Sequence, residues 1–274
     1  MASFPFLTDN GAPPKPAEPE RARRELDMWR QKADARSAGE PELATFMTEF
    51  AADDEGRLLL EAIFGNSPFL SQALHHDPAL LRSAVNLGVE HTFDELLETL
   101  LAEQLWRRSR TEVMSGLRLA KRGAALAIAL ADIAGTWPLE KVCLSLSRFA
   151  EVSISIALNF LLTQAAKNGQ MVLANPDDPE SGCGIAILGM GKLGAGELNY
   201  SSDIDLLVLF DGDVVTYSGD GGAQQGLHRM VRELVLIMAE RSADGYVFRT
   251  DMRLRPDPGA TPLAVSTVAA EHYY

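Results

Sequence analysis

The hydrophobic period of this chain changes once, and that change bounds what it can fold into. From Pro41 to about Gly169 the apolar residues recur at helical spacing. Leu43, Phe46, Met47 and Phe50 fall at i, i+3, i+4 and i+7, and Leu96, Leu97, Leu100, Leu101 and Leu105 make a second stripe. Such stripes belong to helices that turn one face to a core. Ser67-Pro68 and Asp77-Pro78 each pair a capping side chain with a proline at the first helical position. A long helix should run from Pro138 to about Lys167 and stop at Asn168-Gly169. After the turn-rich stretch NPDDPESG (175–182) the apolar residues come instead in short β-branched runs. GIAILGM (184–190), DIDLLVLFD (203–211) and YVFRTDMRLRP (246–256) read as strands, with a glycine-rich loop over 212–222 and a helix from Gln224 to Arg241. The expected class is α+β. An extended or partly disordered tail (1–40) leads into a helix near Pro19, followed by a helical domain (41–175) and a mixed α/β domain (176–274).

The stretch GMGKLGAGELNYSSDIDLLVLFD (189–211) offers two chemistries. Gly189, Gly191 and Gly194 fit the G-x-G-x-x-G of dinucleotide-binding folds, and Asp211 stands where a ribose-binding acid would. That reading lacks its helix. Only AGELNYSS separates Gly194 from Asp203, whereas a parallel crossover needs roughly a dozen residues. A phosphate-binding P-loop fares worse, because Lys192 is followed by Leu193 rather than Ser or Thr.

The D-x-D reading accounts for more residues. On a strand, Asp203 and Asp205 share one side and Ile204 turns to the core. Two adjacent carboxylates repel unless cations neutralise them, and Mg²⁺ binds through one or two carboxylates together with substrate phosphate oxygens. Asp251, on the last strand, is flanked by Arg249 and Arg253. Carboxylates for metal ions beside guanidinium forks for phosphate oxygens suit a phosphate-handling site.

Composition narrows the classes further. Of 274 residues 46% are hydrophobic, enough for a proper core, and the net charge is −13, which argues against a nucleic-acid binder. Cys143 and Cys183 lack metal-type spacing and suit two structural thiols in a reducing compartment. The N-terminus has no basic-then-apolar leader. Segment 142–162 is interrupted by Ser145, Ser147, Arg148, Glu151 and Asn159, so it suits a buried helix and no membrane is expected. The setting is cytoplasmic. His75, His76, His91 and His228 carry no site pattern, and Trp106 and Trp137 read as core.

A glycine turn shortly ahead of D-x-D on a strand, with a third Asp on a later strand, resembles the DNA polymerase β-like nucleotidyltransferase fold. Within it, the 189–211 stretch followed by YVFRTDMRLRPDPGATPLAVS (246–266) closely resembles the glutamine synthetase adenylyltransferase/adenylyl-removing family, as does SPFLSQALHHDPALL (67–81). That family carries two such domains, and ELNYSSDIDL looks like the N-terminal, adenylyl-removing copy. Lys192 stands where polymerase-type loops have Gly or Ser, as is usual in this family. The family continues through more helices and a second copy where this sequence ends at EHYY, so the resemblance implies a piece of a longer protein.

What the resemblance implies is removal of AMP from a tyrosine of glutamine synthetase by inorganic phosphate, yielding ADP, with the PII signalling protein as a further partner. Asp203, Asp205 and Asp251 would be catalytic and hold two Mg²⁺ ions. Gly189, Gly191 and Gly194 would bring backbone N–H groups to phosphate oxygens. Lys192, Arg253 and Arg255 would contact anions, and Ser202 would orient Asp203 or cap the turn. The competing reading is an inert helical regulatory or docking piece.

Overall fold

The computed structural model describes residues 13–255, 259 and 261–274. The first twelve residues of the expected tail, and Pro256, expected to end the last strand, lie outside them. The class is α+β, as the change of period requires. Helices α1 (Pro19–Arg36), α2 (Pro41–Ala52), α3 (Asp54–Asn66), α4 (Pro68–His76), α5 (Pro78–Leu87) and α6 (Val89–Ala102) come first. A 3₁₀ turn (Leu105–Arg107) precedes α7 (Arg110–Ile133) and α8 (Leu139–Lys167). The remainder is β1 (Ile185–Met190), α9 (Gly191–Gly194), β2 (Ile204–Phe210), α10 (Gly222–Ala239), β3 (Thr250–Asp251), β4 (Ala264–Ser266) and α11 (Thr267–Tyr273). Two compact units result. One takes the chain up to Leu96 with Arg122–Val142, and the other Leu97–Lys121 with Cys143–Tyr274.

The first unit is made of short helices whose starts are written in the sequence. Asp53, Ser67 and Asp77 cap α3, α4 and α5, each accepting a backbone N–H three residues on, which satisfies a donor the helix leaves free. Trp29 of α1 is fully buried and donates its indole N–H to Met47 O at 2.9 Å. The expected stripe Leu43, Phe46, Met47, Phe50 is buried throughout. The stripe around Leu100 is broken instead: Gln104 adopts φ 46°, Leu105 falls in the separate 3₁₀ turn and Leu101 faces solvent. The end of the expected tail is tied down, since Asn66 holds Ala17 N and Lys15 O while Glu18 N donates to Gly65 O. His75 and His76 diverge as adjacent helical positions must. His75 is buried against Phe64 and bonded to Glu25 at 2.8 Å, while His76 is exposed.

In the second unit β2 is the hub. It pairs antiparallel with β1 along one edge, Ile185↔Phe210 through Met190↔Asp205. Its other edge is shared by two parallel partners, β3 at Ile204–Asp205 and β4 at Val208–Phe210. Leu158 of α8, Ile187 of β1, Val208 of β2 and Leu227, Met230, Val231 and Leu234 of α10 close around a void of about 10 Å³, a density usual for protein interiors. By length and composition α8 is apolar enough to cross a membrane, with mean hydropathy 1.4 in its most apolar window, yet 67% of that window is buried in the protein. It serves as a core helix.

The strand expected over 246–256 is only two residues long. Val247 N and Phe248 N both donate to Met238 O, and Arg253 N donates to the Asp251 side chain at 2.8 Å. Local bonds of this kind compete with the sheet ladder for the same backbone groups.

Gly56 makes a sharp test of the packing in the first unit. A methyl placed there would lie 2.3 Å from Phe50 O. Gly→Ala inside a helix ordinarily gains up to about 1 kcal/mol. Here we expect Gly56→Ala to lose about 1–3 kcal/mol, the range for overpacking, read by urea unfolding. A gain would show that the α2–α3 corner yields freely.

Candidate functional site

The end of β2 where the chain enters from the glycine loop carries the charged cluster. Ile204 and Leu206 are fully buried on one face of β2, so the pleat turns Asp205 to the other face. Asp205 lies opposite Met190 on one side and Asp251 on the other. Paired residues of neighbouring strands project to the same face, so Asp205 and Asp251 stand side by side across the sheet. Ile204 N donates to Arg249 O at 2.9 Å, which locks this register.

Two arginines hold the outer carboxylates. Arg249 Nε donates to Asp203 Oδ1 at 2.5 Å while its Nη2 donates to Ser201 O at 2.8 Å. Sequence spacing had set Arg249 beside Asp251, but the short strand turns it to Asp203. Arg253 grips Asp251 from the other side, with Nε 2.8 Å and Nη2 2.5 Å from Oδ2. These bonds, joined by the Arg253 backbone N–H, hold the Asp251 carboxyl below the usual carboxylate range. Among the described residues no group of three His, Cys, Asp or Glu side chains is gathered closely enough to hold a metal ion. The guanidinium groups of Arg249 and Arg253 supply counter-charge to Asp203 and Asp251.

The glycine loop has its own geometric needs. Gly191 has φ +54°, and a methyl there would come 2.9 Å from Asp205 Oδ2. A methyl on Gly194 would come 2.4 Å from Gly189 O. The loop opens only the four-residue α9, and the strands on either side of it are antiparallel. A dinucleotide fold needs a parallel crossover through a full helix, so that reading is excluded. Leu193 and Leu198 are buried, and Leu198 N donates to Ser147 Oγ of α8 at 3.2 Å, which anchors the loop.

The other expected contacts scatter. Lys192 is exposed, with no ion pair among the described residues. Ser202 Oγ donates to Asn199 Oδ1 at 2.6 Å, capping the turn and not Asp203. Arg255 is turned to its own loop, donating to Thr261 O at 3.1 Å and to Met252 O. His228, expected at the surface, is half-buried and accepts from Leu263 N through Nδ1 at 3.2 Å.

Carboxylate oxygens are donors that a small hard cation prefers, and Gly191 puts no side chain of its own against Asp205, but among the described residues the three acids are not gathered into one set.

The Asp251–Arg253 contact predicts a titration. A carboxyl whose folded pKa is lowered adds stability above its ordinary range and loses it as pH falls through the lowered value. We expect Arg253→Gln to move the Asp251 carboxyl titration up, followed by carbon-13 NMR in metal-free solution. An unchanged midpoint would show that Arg253 does not act on Asp251.

Comparison with known proteins bears on the whole arrangement. Residues 58–274 match the family model described as glutamate-ammonia ligase adenylyltransferase. A bifunctional glutamine synthetase adenylyltransferase/adenylyl-removing enzyme of Bradyrhizobium is 40% identical over 263 residues, 96% of this chain and 26% of that protein. Proteins so named from Rhodopseudomonas palustris and Bartonella henselae are each 44% identical, over 80% and 78% of this chain and 22% of their own length. The chain thus spans about a quarter of the length of the curated relatives it matches. With most of its residues inside the family model, and the glycine turn, D-x-D strand and third aspartate in the same region, the chain belongs to the glutamate-ammonia ligase adenylyltransferase family.

Proposed function

We propose that this chain carries out phosphate-dependent removal of AMP from an adenylylated tyrosine of glutamine synthetase. One observation carries the reading: Asp205 and Asp251 are register partners on neighbouring strands, with Asp203 two residues away, Gly191 beside Asp205, and an arginine on each outer acid.

In this reaction an oxygen of inorganic phosphate forms a bond to the phosphorus of the adenylyl group. The bond from that phosphorus to the tyrosine oxygen breaks, ADP leaves, and the phenolate takes up a proton. Phosphate is already largely ionised near neutral pH, so no strong base is required, and charge is the main obstacle. Arg249 and Arg253 offer planar forks matched to phosphate oxygens. Exposed Lys192, next to Gly191, adds a point charge at the loop. Gly189, Gly191 and Gly194 let phosphate oxygens approach the backbone without meeting a side chain. Asp203, Asp205 and Asp251 would hold Mg²⁺, which when bound neutralises charge on the reacting phosphoryl oxygens. With this reading go glutamine synthetase as protein substrate, the PII signalling protein as a regulatory partner and a cytoplasmic setting.

The ELNYSSDIDL form of the loop favours removal over addition of AMP. A docking role for an inert piece has one observation in its favour, namely that arginines occupy Asp203 and Asp251.

Phosphate-dependent ADP release from adenylylated glutamine synthetase separates the two. We expect release that requires Mg²⁺ and falls by about 100-fold or more in Asp205→Asn, the scale for losing one electrostatic stabiliser. Mg²⁺ should also raise the melting temperature of the chain by binding the folded state, and Asp205→Asn should abolish that rise. Absence of both ADP release and the thermal response would leave the docking role standing.

A further inference from the structure

The connector from α10 to β3, residues 240–249, contains no helix or strand, yet it places Arg249 and Asp251. It is held from outside by successive turns of α7. Arg118 is 1% exposed, and its guanidinium donates to Gly245 O at 2.9 Å through Nε, to Glu240 O at 2.5 Å through Nη2 and to Met114 O at 2.7 Å through Nη1. Ser115 Oγ donates to Asp244 Oδ2 at 3.1 Å. Lys121 Nζ sits 3.9 Å from the centre of the Phe248 ring and 5.7 Å from that of Phe149.

Arg118 is buried and Lys121 half-buried, each at a cost. Burial lowers the affinity of Arg118 for its proton and pushes the Lys121 amine down to about 8. Lys121 has no hydrogen-bond acceptor or carboxylate partner among the described residues, only two ring faces. Phe248 is 3% exposed and precedes Arg249, whose carbonyl accepts from Ile204 N in β2. The path from α7 to the cluster is therefore short. Arg118 sets the bend at 240–245, Lys121 sets the ring of Phe248, and the next residues carry Arg249 O, Arg249 itself and Asp251.

We propose that Arg118 and Lys121 are positioning residues that hold the 240–249 connector in the conformation seating Arg249 and Asp251 beside Asp203 and Asp205. The inference deepens the proposed reaction and rests on it for its catalytic consequence, while its structural consequence can be measured without any reaction. A misplacement of about 1 Å at a reacting centre costs up to about 100-fold in rate, so a connector freed to sample alternatives would lower turnover without touching substrate.

The test uses this chain with Arg118→Lys, Lys121→Met and Lys121→Arg, and with Leu119→Gln as a control, since Leu119 lies on the same helix and is exposed. Backbone amide exchange is followed at Ile204, Val247 and Phe248, and at Ile187 and Val208 as sheet references. We expect Arg118→Lys and Lys121→Met to speed exchange at the first three by at least about tenfold, as loss of buried charged contacts implies, while the references stay unchanged. The turnover number for ADP release should fall by about 10- to 100-fold with the KM for phosphate unaltered. Lys121→Arg should restore most of it, and Leu119→Gln should change neither. Equal acceleration at all five amides, or lost turnover with unaltered connector exchange, would overturn the proposal. Asp251→Asn keeps the two claims apart: full activity in that variant would refute the catalytic reading, whereas the exchange pattern would still decide the role of α7.

Discussion

Three carboxylates at one end of a sheet repel, and their need for counter-charge organises this part of the molecule. Asp205 and Asp251 are forced together by strand register, which the backbone ladder sets without regard to charge. The response is local. Arg253 folds back on Asp251, and Arg249 reaches across to Asp203 and the Ser201 carbonyl. Each outer acid thus has its own guanidinium partner.

The sheet is built to bring these groups to one edge. β1 lies along one side of β2 and delivers the glycine turn to Asp205 at its end. β3 and β4 divide the other side, and the short β3 ends where Asp251 is needed. Behind them α8 and α10 fill the opposite face with apolar side chains. Because the pleat sends alternate residues of β2 the other way, Asp205 shares its face with buried Leu207 and with Leu209, and the polar cluster is confined to the strand end. A similar division holds in α7, where buried Val113 and Leu117 neighbour the buried charge of Arg118.

Much of this was legible in the residues. Helix starts at Pro19, Pro41, Pro68 and Pro78 follow from proline preceded by a capping or extended residue. The end of α8 follows from Gly169, which has φ +68°, a conformation other residues rarely adopt. β1 and β2 follow from short apolar runs carrying β-branched residues. The misreadings have a common source. YVFRTDMRLRP alternates like a strand, but its backbone groups find partners in Met238 and in its own side chains, which no periodicity reports. Arg249 was assigned to the wrong acid, because sequence spacing says which side a residue faces and not what lies across from it, whereas Ser202 caps the turn, one of its two expected roles.

By itself the sequence determined the α+β class, most of the helices, β1 and β2, and the pairing of glycine turn with D-x-D, since all of these depend on residues within a few positions of one another. It also disfavoured the dinucleotide crossover, because chain length between Gly194 and Asp203 limits what can be built there, and the antiparallel pairing of β1 with β2 then excluded it. Only the tertiary structure decided that Asp251 is the register partner of Asp205, that Arg249 belongs to Asp203, and that Arg118 and Lys121 support the segment bearing Asp251. These contacts join residues far apart in the chain, and their geometry comes from packing and strand pairing, which no local pattern encodes.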